Sequence, residues 1–193
     1  MPTVVVPFRA GGKSRLPDAL RVDLALAMLG DVLEAAVIHD DVRLVTDDAA
    51  AAAAARGLGV GVIADPGGGQ GAAVETALLG AEGACLVVNA DLPCLTAAAL
   101  ARLEELAPAH VPAPDGTTNA LALPDRTWFR PAYGAGSAAR FAAAGLGLAT
   151  ILELQHDVDT LDDLEQLERR SLPLGRRTTL VLNQHKVVAA RTA

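Results

Sequence analysis

The chain is poor in cysteine, lysine and aromatic residues, and it has no long apolar run. Its two cysteines, Cys85 and Cys94, are too few for a disulfide framework and lack zinc-ligand spacing. They read as core residues in a reducing compartment. No apolar stretch approaches the roughly 20 residues that span a bilayer. The alanine run 49–55 stops at Arg56 and reads as a helix. Met1–Pro7 has neither a charged leader nor a small-residue cleavage site, so a cytoplasmic protein without a secretory signal is expected. The 16 basic residues are outnumbered by 23 acidic ones, a net charge of −7. Such a surface repels phosphate backbones, so a general nucleic-acid partner is excluded, as is a membrane. The four histidines show no metal spacing, and Ser137 lacks the G-x-S-x-G elbow. Trp128 and Phe129 are expected in the core. Only two lysines occur, Lys13 and Lys186. Six of the 16 basic residues fall in residues 169–193, which contain no acid.

What is present is a hydrophobic content of 51% over 193 residues, enough for the core of one domain. The pattern is strand, loop, helix, repeated. Thr3–Phe8 predicts a strand, and Asp18 predicts the cap of a helix reaching about His39. Arg43–Thr46, Val60–Ala64 and the continuously apolar Ala84–Asn89 predict further strands. Helices are predicted over Asp48–Arg56, from Gln70 to about Glu82, and from a Thr96 cap to about Ala107. After Pro108 the rhythm breaks. A strand is predicted at Ala120–Leu123, a helix at Ser137–Ala144, a late strand at Leu148–Leu154 and a helix at Leu161–Arg169. Thr178–Val188 is β-prone and predicts an added edge strand. The alternation implies an α/β sandwich with a mainly parallel sheet. Residues 1–168 are expected to form one domain, with 169–193 a basic extension packed on it.

Ligands of open α/β sheets bind at the carboxyl ends of strands. Four candidate elements fall there. In Arg9–Arg15, Gly11 and Gly12 let backbone N–H groups approach an anion, and Arg9, Lys13 and Arg15 add positive charge. The loop resembles the end of a P-loop, but Pro7 stands where that motif needs glycine. Gly67-Gly68-Gly69-Gln70-Gly71-Ala72 fits a G-x-G-x-x-A dinucleotide fingerprint, with Asp91 about 20 residues on. That leaves an oxidoreductase as an alternative. Asp91 ends a buried strand, where a carboxylate is costly unless paired, hydrated or metal-bound. Asp157 and Asp159, two apart, point the same way if extended. Three carboxylates suit Mg2+, although helix capping before Leu161, or an acidic turn shared with Asp162 and Asp163, explains the pair equally well.

The loop Arg9-Ala10-Gly11-Gly12-Lys13-Ser14-Arg15-Leu16 resembles the nucleotide-binding opening of MobA-like nucleotidyltransferases. Five further blocks, in order, are more specific: Asp65-Pro66-Gly67-Gly68-Gly69, Ala90-Asp91-Leu92-Pro93, Gly116-Thr117-Thr118-Asn119-Ala120-Leu121, Tyr133-Gly134-Ala135-Gly136-Ser137 and Asp157-Val158-Asp159-Thr160. Together they resemble the guanylyltransferases that make the phospholactyl or phosphoenolpyruvyl guanosine diphosphate precursor of coenzyme F-420. The resemblance implies a three-layer α/β/α sandwich of the nucleotide-diphospho-sugar-transferase type, with a mixed, mostly parallel sheet of about seven strands. It implies GTP and a small phosphorylated carboxylic acid as ligands. By that resemblance Asp91, Asp157 and Asp159 hold Mg2+. Lys13 with Gly11, Gly12 and Arg15 holds the GTP phosphates, and Gly67, Gly68 and Gly69 the nucleoside. Thr118, Gly134 and Ser137 hold the acceptor. Lys13 and Asp91 are the expected catalytic residues. Two positions depart from the family pattern: Arg9 replaces a lysine in a loop one residue short, and Gly71 stands where asparagine is common. Arg140, one helix turn past Ser137, is a candidate anion contact. Relatives with larger acceptors, such as molybdopterin guanylyl- or cytidylyltransferases, and a non-catalytic nucleotide-binding module are the other readings. A homo-oligomer, or a handoff to the next pathway enzyme, is the remaining partner expectation.

Overall fold

In the computed structural model, residues 1–9 and 16–192 are described, without the side chains of 186–192. Seven strands form one sheet in the order β3-β2-β1-β4-β6-β5-β7. They are β1 Thr3–Pro7, β2 Asp41–Val45, β3 Gly61–Ile63, β4 Cys85–Val88, β5 Ala109–Pro112, β6 Thr118–Leu123 and β7 Gly147–Leu148. Pairing is parallel except at β6, which runs against both β4 and β5. The start of β6 therefore lies at the same edge as the carboxyl ends of the other strands. Among the described residues, eight α-helices accompany the sheet: α1 Asp18–Ala36, α2 Ala49–Gly57, α3 Gln70–Ala77, α4 Ala97–Glu105, α5 Ser137–Ala143, α6 Leu152–Gln155, α7 Leu161–Arg169 and α8 Arg176–Thr192.

Strand alternation builds the layers. Val4 and Val6 of β1 pack with α1, α2 and α4 on one face, while Val5 packs with α3 and α5 on the other. Central β4 is buried at every residue, as a strand covered on both faces must be. Caps fix the helix starts: the Asp48 side chain accepts from the Ala51 N–H, and Thr96 Oγ1 from the Ala99 N–H. A third cluster lies on the outer face of α1. There Leu20, Leu24 and Met28 meet Leu164 and Leu167 of α7 and Val181 and Leu182 of α8.

Several expectations change. Thr178–Val188 is helix, not an edge strand, because α8 docks on α1. The Asp31 carboxylate of α1 accepts the Arg177 and Thr178 N–H groups at 2.9 Å each, capping α8 from outside its own segment. Burial of Thr178 and partial burial of Val181 and Leu182, at helical spacing, outweigh the β-propensity of the segment. Leu148–Leu154 gives only the short β7 before α6 begins. The helix from Gln70 ends at Ala77, before a turn at Gly80 with φ +71°. Asp18 is the first residue of α1 rather than its cap, which is Pro17. Trp128 is 38% exposed, whereas Phe129 is buried as expected. Cys85 and Cys94 are both buried, and burial pushes the Cys94 thiol up to about 12, so it carries no thiolate near neutral pH.

His39 and His110 are buried in the core. His110 Nδ1 bonds the Gly147 carbonyl at 3.0 Å. Neither ring nitrogen of His39 has a hydrogen-bond partner among the described residues. Burial lowers its pKa below the ordinary 6.5, partly opposed by Glu104 and Asp40 and assisted by the chain's amino terminus. The unfolded chain thus takes the proton first. Stability from a neutral His39 is complete above about pH 6.5 and falls as the pH drops below it. His39→Leu is expected to flatten the decline of urea midpoint between about pH 7 and 5, the window set by that ordinary pKa.

Candidate active site

The carboxyl edge of the sheet carries a cleft of about 230 Å3, lined by Phe8 and Arg9 after β1, Asp65 after β3, Gln70 at the start of α3, Asn89 and Asp91 after β4, and Asp159. One carboxylate oxygen each from Asp91, Asp157 and Asp159 lies within 4.8 Å of the others. The chain brings them together by a backbone stitch, the Val158 N–H donating to the Asp91 carbonyl at 3.1 Å. Val158 is fully buried, while Asp157 and Asp159 on either side of it each bring a carboxylate oxygen to the cluster. Capping of α7 falls to Thr160 and Asp163, which form a reciprocal capping box. Asp157 and Asp159 are not that cap. All three aspartates are half-buried. Asp159 also lines a second hollow of about 230 Å3 with Asp115, His156, Asp157 and Gln166.

An amide chain links the glycine turn to this triad. Gln70 Nε2 donates to Asn89 Oδ1 at 2.7 Å, Asn89 Nδ2 to Asn119 Oδ1 at 3.4 Å, and Asn119 Nδ2 to Asp157 Oδ1 at 3.4 Å. Asn119 is 1% exposed. Sequence reasoning missed Gln70 and Asn89, and it read Asn119 only as part of a block. The available signal was an asparagine at the end of an apolar strand, a polar group where burial is costly without a partner.

Among the expected acceptor residues, Ser137 Oγ donates to Thr118 Oγ1 at 3.1 Å, with both residues buried. Their bond fastens the start of α5 to the start of β6. Gly134 lies in the turn just before, with φ +100°. Arg140 is not an open anion contact. Its guanidinium donates to the carbonyls of Ala132, Tyr133, Gly134 and Ala135, bracing that turn from outside. Gly11, Gly12, Lys13 and Arg15 lie outside the described residues. Gly67, Gly68 and Gly69 have φ of +79°, +80° and +95°, conformations that strain any side chain. Gly71, the departure from asparagine, has a packing reason: a Cβ there meets Pro131 Cβ at 2.8 Å. The glycine triplet follows edge strand β3, two strands from the point where the chain switches sides at β1. A dinucleotide fingerprint belongs at that switch point, so the oxidoreductase reading loses its motif.

Residues 20–158 match the model of the MobA-like NTP transferase domain. A phosphoenolpyruvate guanylyltransferase of Streptomyces coelicolor is 40% identical over 93% of this chain and 94% of its own length. One from Salinispora arenicola is 37% identical over 98% and 97%. The chain belongs to this guanylyltransferase family. Among solved structures, a nucleotidyl transferase from Methanothermobacter superposes with TM-score 0.64 at 19% identity, covering 88% of this chain and 97% of its own. A cytidylyltransferase from Leptospira borgpetersenii gives 0.60 at 13%, covering 97% and 94%. These two likenesses bear on the fold, which is the expected nucleotidyltransferase sandwich. No described helix is long and apolar enough to cross a membrane.

Proposed function

We propose that the chain transfers GMP from GTP to the phosphate of phosphoenolpyruvate and releases pyrophosphate. The carrying observation is the Asp91, Asp157 and Asp159 cluster at an open cleft on the carboxyl edge of the sheet. The names of the family's members supply the donor and acceptor. As the resemblance implies, the product enters coenzyme F-420 biosynthesis, in the cytoplasm.

The cluster offers only carboxylate oxygens, without histidine or cysteine, and so fits Mg2+. Bound there, Mg2+ supplies charge neutralisation on the triphosphate and on the reacting phosphate oxygens. The rest of the chemistry falls to the chain. Lys13 and Arg15, with the Gly11-Gly12 backbone, hold the triphosphate. Gly67, Gly68 and Gly69 let the nucleoside lie against the main chain. Thr118 and Ser137 shape the acceptor side through their mutual bond, and Gly134 presents its backbone there. An acceptor phosphate oxygen attacks the α-phosphorus of GTP in line. The new P–O bond forms as the bond to the bridging oxygen breaks, and pyrophosphate leaves with that electron pair. The attacking oxygen is already anionic near neutral pH, so no proton has to be removed. Alignment and charge neutralisation suffice. This accounts for a site built from carboxylates, amides and glycines. Catalysis belongs to residues 1–168, and α8 braces α1 from the extension.

Initial rates of pyrophosphate release from GTP test the acceptor. Phosphoenolpyruvate is expected to exceed 2-phospho-L-lactate and 3-phosphoglycerate by about tenfold or more in kcat/KM, the scale of discrimination by a few atoms. A preferred second acceptor refutes the acceptor assignment. Release with none of the three refutes guanylyl transfer.

A further inference from the structure

Three side-chain amides stand between the glycine turn and the aspartate cluster. An amide fits its site either way round, so its neighbours decide which end donates. Two neighbours here leave no choice. A carbonyl oxygen and an ionised carboxylate accept hydrogen bonds and cannot donate them. The backbone carbonyl of Thr118 lies 3.3 Å from Asn89 Nδ2 and holds that end toward it. Asp157 Oδ1 lies 3.4 Å from Asn119 Nδ2 and sets the second amide in the same way. Asn119 Oδ1 is then left to accept from Asn89 Nδ2 at 3.4 Å, and Asn89 Oδ1 from Gln70 Nε2 at 2.7 Å. All three amides donate in one direction, toward the carboxylates. Aligned in this way, amide groups shielded from water polarise one another.

Asn119 is rigid where Asp157 is not. It is 1% exposed, so water does not compete for its amide. Its carbonyl accepts the Asn89 N–H at 2.9 Å, which continues the pairing of β6 with β4. Asp157 instead lies between α6 and α7, in no regular element. The 3.4 Å link to it is long for an amide bond, so it orients the carboxylate without gripping it.

We propose that Asn119 is a positioning residue for the cation cluster and that Asn89 acts through it, by fixing the direction of its amide. The inference rests on the reading of Asp91, Asp157 and Asp159 as the Mg2+ site. A carboxylate already oriented by an outer hydrogen bond has less freedom to lose when a cation binds. Loss of such an outer partner typically weakens a metal site by about ten- to a hundredfold. Asn119→Leu removes the donor to Asp157 at similar volume. Asn89→Leu leaves Asn119 in place but takes away the neighbour that fixes its direction.

Thermal midpoints across a Mg2+ series without nucleotide test this in wild type, in each variant and in the double variant, through the Mg2+ concentration that gives half the shift. Asn119→Leu is expected to raise that concentration about tenfold or more. Asn89→Leu is expected to raise it less, and to add nothing in the double variant, because its effect passes through Asn119. In pyrophosphate release, Asn119→Leu is expected to need correspondingly more Mg2+, to regain most of the lost rate at high Mg2+, and to keep its GTP KM there. An amide with a structural role alone would lower the midpoints and leave the half-saturating Mg2+ unchanged, and that result overturns the proposal. A full second effect of Asn89→Leu in the double variant overturns it too. Should Asn119→Leu not fold, the half-buried Asn89 decides alone: unchanged half-saturating Mg2+ in Asn89→Leu overturns the proposal. Wild type whose midpoint does not respond to Mg2+ refutes instead the reading of the cluster as a cation site.

Discussion

Asp91→Asn is expected to cut pyrophosphate release at saturating GTP and Mg2+ by about 1,000-fold or more, some 4 kcal/mol in the barrier. The substitution keeps the volume of the side chain and removes one charge. Asp91 ends β4, the strand buried at every residue, and its oxygen lies within 4.8 Å of oxygens of Asp157 and Asp159. That clustering is what a divalent cation would use, since like charges close together repel and a cation between them offsets the repulsion. The rise of midpoint on adding Mg2+, a direct readout of cation binding, is expected to shrink. Unreduced turnover removes Asp91 from the site. An unchanged Mg2+-induced shift with lost turnover removes it from the cation cluster alone.

The second large effect is on stability. Asp31→Ala is expected to cost about 2–3 kcal/mol, because it leaves the Arg177 and Thr178 N–H groups without the carboxylate that caps α8. For a chain of this length that corresponds to a fall of roughly 4–12 °C in thermal midpoint. Asp31 is 6% exposed, so water replaces it poorly. The neighbourhood is tight: a Cβ on Gly175 would collide with the Asp31 carboxylate, and a Cβ on Gly30 would collide with the Arg177 side chain. Arg177 in turn donates to Glu34 Oε1 from Nε at 3.0 Å and Nη2 at 2.6 Å. Differential scanning calorimetry reads the loss. A midpoint within 1 °C of wild type, well under the shift that about 1 kcal/mol produces, would mean that α8 contributes nothing to the stability of α1.

How much of this the sequence discloses depends on whether a feature is local. Continuous apolar character identifies β4, and Asp48 and Thr96 mark helix starts, because burial and capping act within a few residues. The triad was legible too. Asp91 at a strand end and the Asp157-Val158-Asp159 spacing carry their own orientation once Val158 is recognised as core. The misjudged features are those decided by distant partners. Thr178–Val188 has the composition of a strand, and only the face of α1 makes it a helix. Asn119 acquires its role from β6 running antiparallel beside β4, a pairing that sets it next to Asn89. Arg140 looked like an anion ligand because nothing near it in sequence announces four carbonyls turned toward its guanidinium. Arg9 and Asp65 were both noted, but as members of separate loops. Their meeting is a consequence of β1 and β3 flanking β2.

The central claim is that GMP moves intact onto a phosphorylated acid. Phosphorus-31 magnetic resonance of the protein with GTP, phosphoenolpyruvate and Mg2+ tests it most directly. The account predicts two mutually coupled resonances of a new unsymmetrical diphosphate, growing in step with pyrophosphate at a one-to-one ratio. Appearance of GDP with inorganic phosphate, or pyrophosphate with GMP and no new diphosphate, would contradict it.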